Sequence, residues 1–382
     1  MSELILPPTA EELDQIKEVK LKLKDKEDPF VTDFNLLRWL RSSQHKVEEA
    51  ATRMTQALHL RRVLNLDKID HKTRQNVHFT IPLRKYYFGN VTGYDKNGLV
   101  VIIWPFGTVD VDGISRSVSH RQFLQDRMED NEHAVHMALE KEKETGKQSG
   151  LFVILDMEGY AARNALKATT RVHTRAMILT QDLYPGMLVR IFIINAPSIV
   201  TAGYNLMKPF LTKETQNSVR FLGSDWKQTL SELIEADQYP EYWGGSQHGW
   251  NGKYGPVPMG GTVPQEMYFH DWPSDEFMQS LEKYTIPPGG HTSATVRVNA
   301  TDATLRWFVT GSDSDAITLE LRRAESPEDE GELLLPPWRT SVDLVPESGS
   351  MRCDKNGDYV FILGNPMAWF RSKTVRAKFW LE

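Results

Sequence analysis

The stretch IFIINAPSIVTAGYNLMKPFL, Ile191 to Leu211, places an apolar strand directly ahead of an apolar helix. Extended back to Val189 it reads VRIFIINA, rich in β-branched residues and lacking clean polar alternation. Such a strand needs cover on both faces, as in a parallel or mixed sheet flanked by helices. Ser198 is the expected N-cap of a helix with Ile199, Gly203, Leu206, Met207 and Phe210 on one side, ending near Lys208-Pro209. Core packing is the default for that stripe; a movable wall over an internal apolar cavity is the functional alternative.

Working outward, two further runs have the same character. LFVILDME begins at Leu151, and LVVIIWPFG covers Leu99 to Gly107 behind the turn DKNG. Helical patterns separate them, with Leu124, Met128, Val135 and Leu139 on one face and Val172, Ala176, Leu179 and Leu183 on another. Trp226, Leu230, Leu233 and Ile234 form a further amphipathic set. The alternation is α/β. Upstream, DFNLLRWLR from Asp33 spaces Phe34, Leu37 and Leu40 by three with basic Arg38 and Arg41 between them, and Val47, Ala50, Ala51, Met54 and Leu58 mark one apolar helix face.

The period changes near the C-terminus. Val296, Val298 and Ala300, then Ile317, Leu319 and Leu321, then Val375, Ala377, Phe379 and Leu381 alternate with polar neighbours or Trp380, as in an antiparallel sandwich. Gly244 to Pro264 is dense in Gly and Pro and reads as a linker, while the acidic Glu325 to Glu332 reads as a solvated loop. The expected organisation is an N-terminal helical subdomain at 1–75, an α/β lobe at 76–247, a linker at 248–265 and an all-β sandwich at 266–382.

Composition narrows the function. The 382 residues are 40% apolar and 25% charged, with a net charge of -6, which argues against nucleic acid as the main partner. Met1 to Thr9 carries no positive leader, so no secretory signal is expected, and no apolar run approaches the ~20 residues of a membrane span. One cysteine, Cys353, makes neither an intrachain disulfide nor a cysteine-based zinc site, and a reducing cytosol fits best.

Catalytic signatures are sparse. No G-x-G-x-x-G follows the first strand, and G-x-S-x-G and H-E-x-x-H are absent. Gly146 to Ser149 lacks the upstream glycine and the Lys-Ser/Thr adjacency of a phosphate loop. His133 and His136 could share a helix face near Glu132 and Glu140 as metal ligands, but a polar helix face is the better account of them. Asp156 and Glu158, at a strand end, could be catalytic carboxylates or metal ligands, but Gly159 favours reading them as caps of the following turn.

In their order, DFNLLRWLRSSQHKVEEA, GYDKNGLVVIIWPFGTVD from Gly93, FVILDMEGY from Phe152, the Ile191–Leu211 stretch with FLGSDWKQTLSELI, and YPEYWGG resemble the CRAL-TRIO lipid-transfer family. MRCDKNGDYVFILGNPMAWFRSKTVRAKFWLE, from Met351, resembles a GOLD domain, with Gly364 where that family usually has an acidic residue before the asparagine. The combination is similar to the animal supernatant-protein-factor and tocopherol-associated group. The resemblance implies a sheet flooring a hydrophobic pocket and a long helix gating it. The implied lipid-binding residues are Phe152, Ile154, Leu179, Leu183, Ile191, Ile193, Tyr204, Leu206, Met207, Phe210, Thr215 and Phe221. Only one set per strand face can point inward.

Phosphatidylinositol-transfer members carry a glutamate at the position of Gly186 and a lysine at that of Ser218, while Thr215 keeps a hydroxyl found one turn earlier. Loss of both groups counts against tight phosphoinositide exchange, with Arg220 and Lys213 as the available substitutes. The implied ligand is one hydrophobic lipid, tocopherol-, isoprenoid- or phospholipid-like, with no cofactor, no metal and no catalysis. Carrying that lipid between membranes is the first expectation. The alternative is a lipid-regulated adaptor in vesicle or Golgi trafficking or signalling, docking a protein partner through the GOLD-type domain. The implied location is cytoplasmic, with transient contact at Golgi or other membranes.

A sixteen-carbon chain buried at ~0.8 kcal/mol per methylene contributes ~12 kcal/mol at most. That replaces the shelter of a bilayer, so exchange is nearly balanced and a gate controls its rate. An apolar-to-acidic change at Phe210 is expected to impair lipid extraction from vesicles by a protein that stays folded.

Overall fold

The computed structural model describes residues 5–69, 82–87, 89–160, 179–211, 213–299, 302–311, 317–325, 329, 331–366 and 368–382. It divides into two units, one of residues 1–110 and 127–263, the other of residues 111–126 and 264–382.

In the first unit, α1 (Ala10–Lys22), α2 (Asp33–Ser42) and α3 (Val47–Val63) precede a five-stranded sheet in the order β1-β2-β3-β4-β5. The strands are β1 (Asn90–Tyr94), β2 (Val100–Pro105), β3 (Leu151–Asp156), β4 (Leu188–Ile194) and β5 (Val219–Phe221). β1 is antiparallel to β2 and the other pairings are parallel. After β2 the chain runs through α4 (Val111–Ser117), which belongs to the second unit, and α5 (His120–Thr145), within which the division between units falls. α6 (Ser198–Met207), α7 (Lys213–Ser218) and α8 (Trp226–Leu233) complete this part of the chain.

Strand alternation separates two cores. Val100, Ile102, Leu151 and Val153 join Met128, Val135 and Ala138 of α5 and the apolar faces of α1 to α3. Leu99, Val101, Ile103, Phe152, Ile154, Val189, Phe192 and Ile194 lie on the opposite face with Trp226, Leu230, Tyr239, Trp243 and Val257.

Arg38, expected as an interspersed basic residue of α2, is buried and ion-pairs with Glu142 of α5. It also donates to Asn35 Oδ1 at 2.7 Å and Ser149 O at 2.7 Å. Arg61 of α3 meets Glu132 through two hydrogen bonds of 2.8 and 2.7 Å and lies 3.8 Å over the Phe30 ring. Buried charges need such multiple partners to offset lost hydration.

The expected linker is packed. Asn90 Nδ2 donates to Pro256 O at 3.0 Å, Gln247 Nε2 to Thr92 O at 3.0 Å and Val263 N to Asp110 Oδ2 at 3.1 Å. Val257 is buried in the second core. Gly and Pro here serve tight turns lying against the sheet unit. Residues 111–126, expected within the α/β lobe, group with the second unit instead.

In the second unit, β6 (Glu282–Ile286), β7 (His291–Val298), β8 (Thr304–Thr310), β9 (Ile317–Ala324), β10 (Glu332–Thr340), β11 (Glu347–Arg352), β12 (Gly357–Gly364) and β13 (Lys373–Leu381) form two four-stranded sheets, β10-β9-β12-β7 and β11-β8-β13-β6. Their pairings are antiparallel. The core draws on both: Ile317, Leu319, Leu321, Phe361 and Leu363 from the first, Leu305, Trp307, Val309, Val375 and Ala377 from the second. The two-residue period at Ile317–Leu321 and Val375–Ala377 is realised as burial on one face. Ala300 lies outside the described residues. So do 326–328 and 330 of the acidic stretch, whose Glu332 opens β10 (Glu332–Thr340) and pairs with Arg323 at 2.8 Å. Gly364 has a steric reason, because a Cβ there would stand 2.3 Å from Thr318 Oγ1.

Arg41, through its hydrogen bonds to Glu12, and to a lesser extent the Thr9 backbone N–H hold the Glu12 carboxyl down from 4.5 to about 2, against the opposing effect of burial. A depressed folded-state value means this support is complete above the ordinary carboxylate range and lost as pH falls towards 2. The stability gap between the wild type and Glu12→Gln, measured by urea unfolding, is therefore expected to close as pH is lowered from above 4.5 towards 2.

Candidate functional site

The parallel register sets Trp104 beside Leu155, Leu155 beside Ile193 and Ile193 beside Phe221. One step back along the strands, Ile102, Val153, Ile191 and Val219 form the adjacent row of the same face. β3 is the central strand, where flanking layers usually bury both faces. Ile154 is fully buried on one side, yet Leu155 on the other is only half-buried, as are Trp104 and Phe221 in its row. The half-exposed apolar row thus sits at the C-terminal ends of parallel strands, where open α/β sheets hold their ligands.

α6 lies at the edge of this face, with the Tyr204 and Phe221 rings packed edge to face at 5.4 Å. Its start differs from the expected cap. Pro197 occupies the N-cap position with extended backbone, and Ser198 is the first helical residue. Proline's fixed φ leads the chain into the helix without a side-chain cap. The helix SIVTAGYNLM is apolar in composition but poorly covered, since Ile199 is exposed and Leu206 is 77% exposed.

The expected lipid-binding residues are split by the sheet. Phe152 and Ile154 lie on the sealed face with Trp226 and Trp243, opposite Ile191 and Ile193, so the four do not line one chamber. A parallel partner strand imposes its own pleat parity, and the β3–β4 register shift between Leu151 and Phe152 helps set it. Leu183 is fully buried in the first core, and Leu179 and Ile191 pack against that core. Thr215 is buried and donates to Gln181 Oε1 at 3.0 Å. Leu206 faces outward. The side chains of Met207 and Phe210, like residues Val172 and Ala176, lie outside the described part of the structure. Trp104 and Leu155 were not anticipated. Only register distinguishes Leu155 from its equally apolar neighbour Ile154.

The positions compared with phosphoinositide carriers have local duties. Gly186 adopts φ +65°, and a Cβ there would meet Arg38 Cγ at 3.4 Å. Ser218 Oγ donates to Leu188 O at 3.0 Å. Arg220 pairs in register with Phe192, on the face opposite Ile193, and Lys213 is exposed at the start of α7. Arg220 therefore does not share the face of the half-exposed row.

Asp156 accepts from Trp243 Nε1 at 2.9 Å, Asn195 Nδ2 at 2.9 Å and the Glu158 backbone N–H at 3.0 Å. Glu158 accepts from the Tyr242 hydroxyl, whose pKa is raised by burial and then by that carboxylate. These partners make Asp156 an anchor of the strand end. Glu132, which neighbours His133 in the sequence, is occupied by Arg61 and by the buried Tyr184 hydroxyl.

Residues 84–245 match the family model described as CRAL/TRIO domain, a span that contains all five strands of the mixed sheet. Protein ctg-1 of Caenorhabditis elegans is 26% identical over 359 residues, covering 92% of this chain and 92% of that protein. The CRAL-TRIO domain-containing protein F28H7.8 of the same nematode is 23% identical over 367 residues, covering 94% of this chain and 88% of its own length. Both similarities therefore run well beyond residues 84–245. A crystal structure of Sfh5 superposes with a TM-score of 0.48 at 15% identity, covering 72% of this chain and 98% of that one.

Asp156→Asn replaces a charge-assisted acceptor of the buried Trp243 N–H and is expected to cost about 1–3 kcal/mol in urea unfolding.

Proposed function

We infer that this protein binds one hydrophobic lipid over the Trp104–Leu155–Ile193–Phe221 row and carries it between membranes, without catalysis. The observation that carries this reading is the half-burial of Leu155 on the central strand of a sheet whose other face is sealed. Half-exposed apolar side chains in an otherwise covered position are what a chain-like apolar ligand would cover. The CRAL/TRIO match over the same strands supports the assignment.

Ile191, Ile193, Tyr204 and Phe221 belong to this site, joined by Trp104 and Leu155, with Leu179, Leu183 and Thr215 as its support. Phe152 and Ile154 act from the sealed side by fixing the floor strand. The ligand is tocopherol-, isoprenoid- or phospholipid-like, and Gly186 and Ser218, engaged with Arg38 and Leu188, do not offer the glutamate and lysine of phosphoinositide carriers. α6 serves as the gate, and its exposed Ile199 and Leu206 give it an apolar outer surface for transient contact with a bilayer. The two antiparallel sheets around buried Cys353 support reading the C-terminal unit as a GOLD-type module, and a cytoplasmic carrier suits a chain with one buried thiol.

Native mass spectrometry of the full chain purified from a lipid-rich host tests the assignment. One bound lipid per chain is expected. Leu155→Trp should fill its room and lower occupancy several-fold with little change in melting temperature, whereas Leu206→Asp should retain bound lipid but slow exchange between vesicles. An empty wild type, or full occupancy in Leu155→Trp, would refute the site.

A further inference from the structure

The loop between β12 (Gly357–Gly364) and β13 carries two adjacent aromatic side chains in water: Trp369 is 85% exposed and Phe370 95% exposed. Large aromatics bury readily and rarely stand this far out in pairs. Their position is held from below. Asn365, itself buried, donates its side-chain N–H to Arg371 O at 3.0 Å, closing the two ends of the loop. Its backbone N–H donates to Gly290 O at 2.8 Å and its carbonyl accepts from Gly289 N–H at 3.1 Å, tying the neck to the turn after β6. The side chain of Lys373, where β13 begins, is buried. The tip is thus a braced projection.

We propose that this tip is a membrane-contact element, inserting Trp369 and Phe370 into the interfacial region of a lipid bilayer. The chemistry and size of the surface choose this occupant. Two aromatic side chains present about 300–500 Å², well below the about 800 Å² per partner of a stable protein interface. A bilayer needs no matching pocket, and tryptophan favours its interfacial zone. The segment Asn365–Lys373 contains no carboxylate, so nothing in its own sequence repels an anionic headgroup layer. The chain as a whole, at net charge -6, has no general attraction for such a surface, so a local element such as this tip has to supply affinity of its own. The proposal goes beyond lipid capture by the sheet and stands without it.

The test is co-sedimentation of the full chain with vesicles of phosphatidylcholine and phosphatidylserine. The double variant Trp369→Ala/Phe370→Ala is expected to lose about tenfold or more in vesicle affinity, since partitioning scales with the apolar area removed. Trp272→Ala, at another exposed aromatic of the same unit, should bind as the wild type does. Because Cys353 is buried, a polarity-sensitive dye on Phe370→Cys reports the tip alone, and its emission should shift to the blue when vesicles are added. Bound lipid counted by native mass spectrometry is expected to be unchanged in the double variant, so failure here is read separately from failure of the pocket. A double variant that sediments like the wild type overturns the proposal. So does a dye whose emission stays fixed while the protein sediments, since the tip would then have a protein partner or none.

Discussion

A parallel sheet has two faces to keep from water, and in this protein they are treated unequally. One face is closed by large rings: Trp226, Tyr239 and Trp243 pack with Val257 over Ile103, Phe152, Ile154 and Phe192. Trp243 is fixed there by its hydrogen bond to Asp156, so the carboxylate at the end of β3 locks the lid of the sealed face. The other face is closed solidly around Leu151 and Val153 but only loosely around Trp104, Leu155 and Phe221. The closed back wall holds the strands in place, so the half-buried side chains of the front face are not needed to position them.

The N-terminal helices add a different kind of constraint. Arg38 with Glu142 and Arg61 with Glu132 put two buried cations against two buried carboxylates between α2, α3 and α5. Such pairs add little net stability over well-packed apolar residues, but losing one member strands a charge in a dry place. Tyr184 donates to Glu132, and Gly186 packs against Arg38, so the turn entering β4 is bound into the same network. The position that a phosphoinositide carrier would use for a headgroup contact therefore has a structural duty in this molecule.

Much of the architecture was legible because hydrophobic period is a local property. The apolar runs at Leu99, Leu151 and Val189 became β2, β3 and β4, and the alternating runs at Ile317 and Val375 became sandwich strands. The short β1 and three-residue β5 were not legible, since their pairing partners rather than their own residues make them strands. The Gly- and Pro-rich stretch after Gly244 has the composition of a spacer, yet its turns dock on the sheet unit through Pro256 and Val257. Asp156 shows the same limit. A strand-end carboxylate has the same one-letter code whether it is a base or an anchor, and only Trp243, 87 residues away, distinguishes the two.

What the amino-acid order determined by itself was the kind of each element, the α/β lobe ahead of an all-β sandwich, and the motifs that resemble a lipid-carrying family. What only the tertiary structure decided was parity: which of Ile154 and Leu155 faces the sealed side, and on which face Arg220 lies. The reason is geometric. Side chains alternate with every residue along a strand, so a one-residue difference in register exchanges the faces without altering the pattern that predicts the strand. Register is a relation between segments distant in the chain, and no single segment contains it.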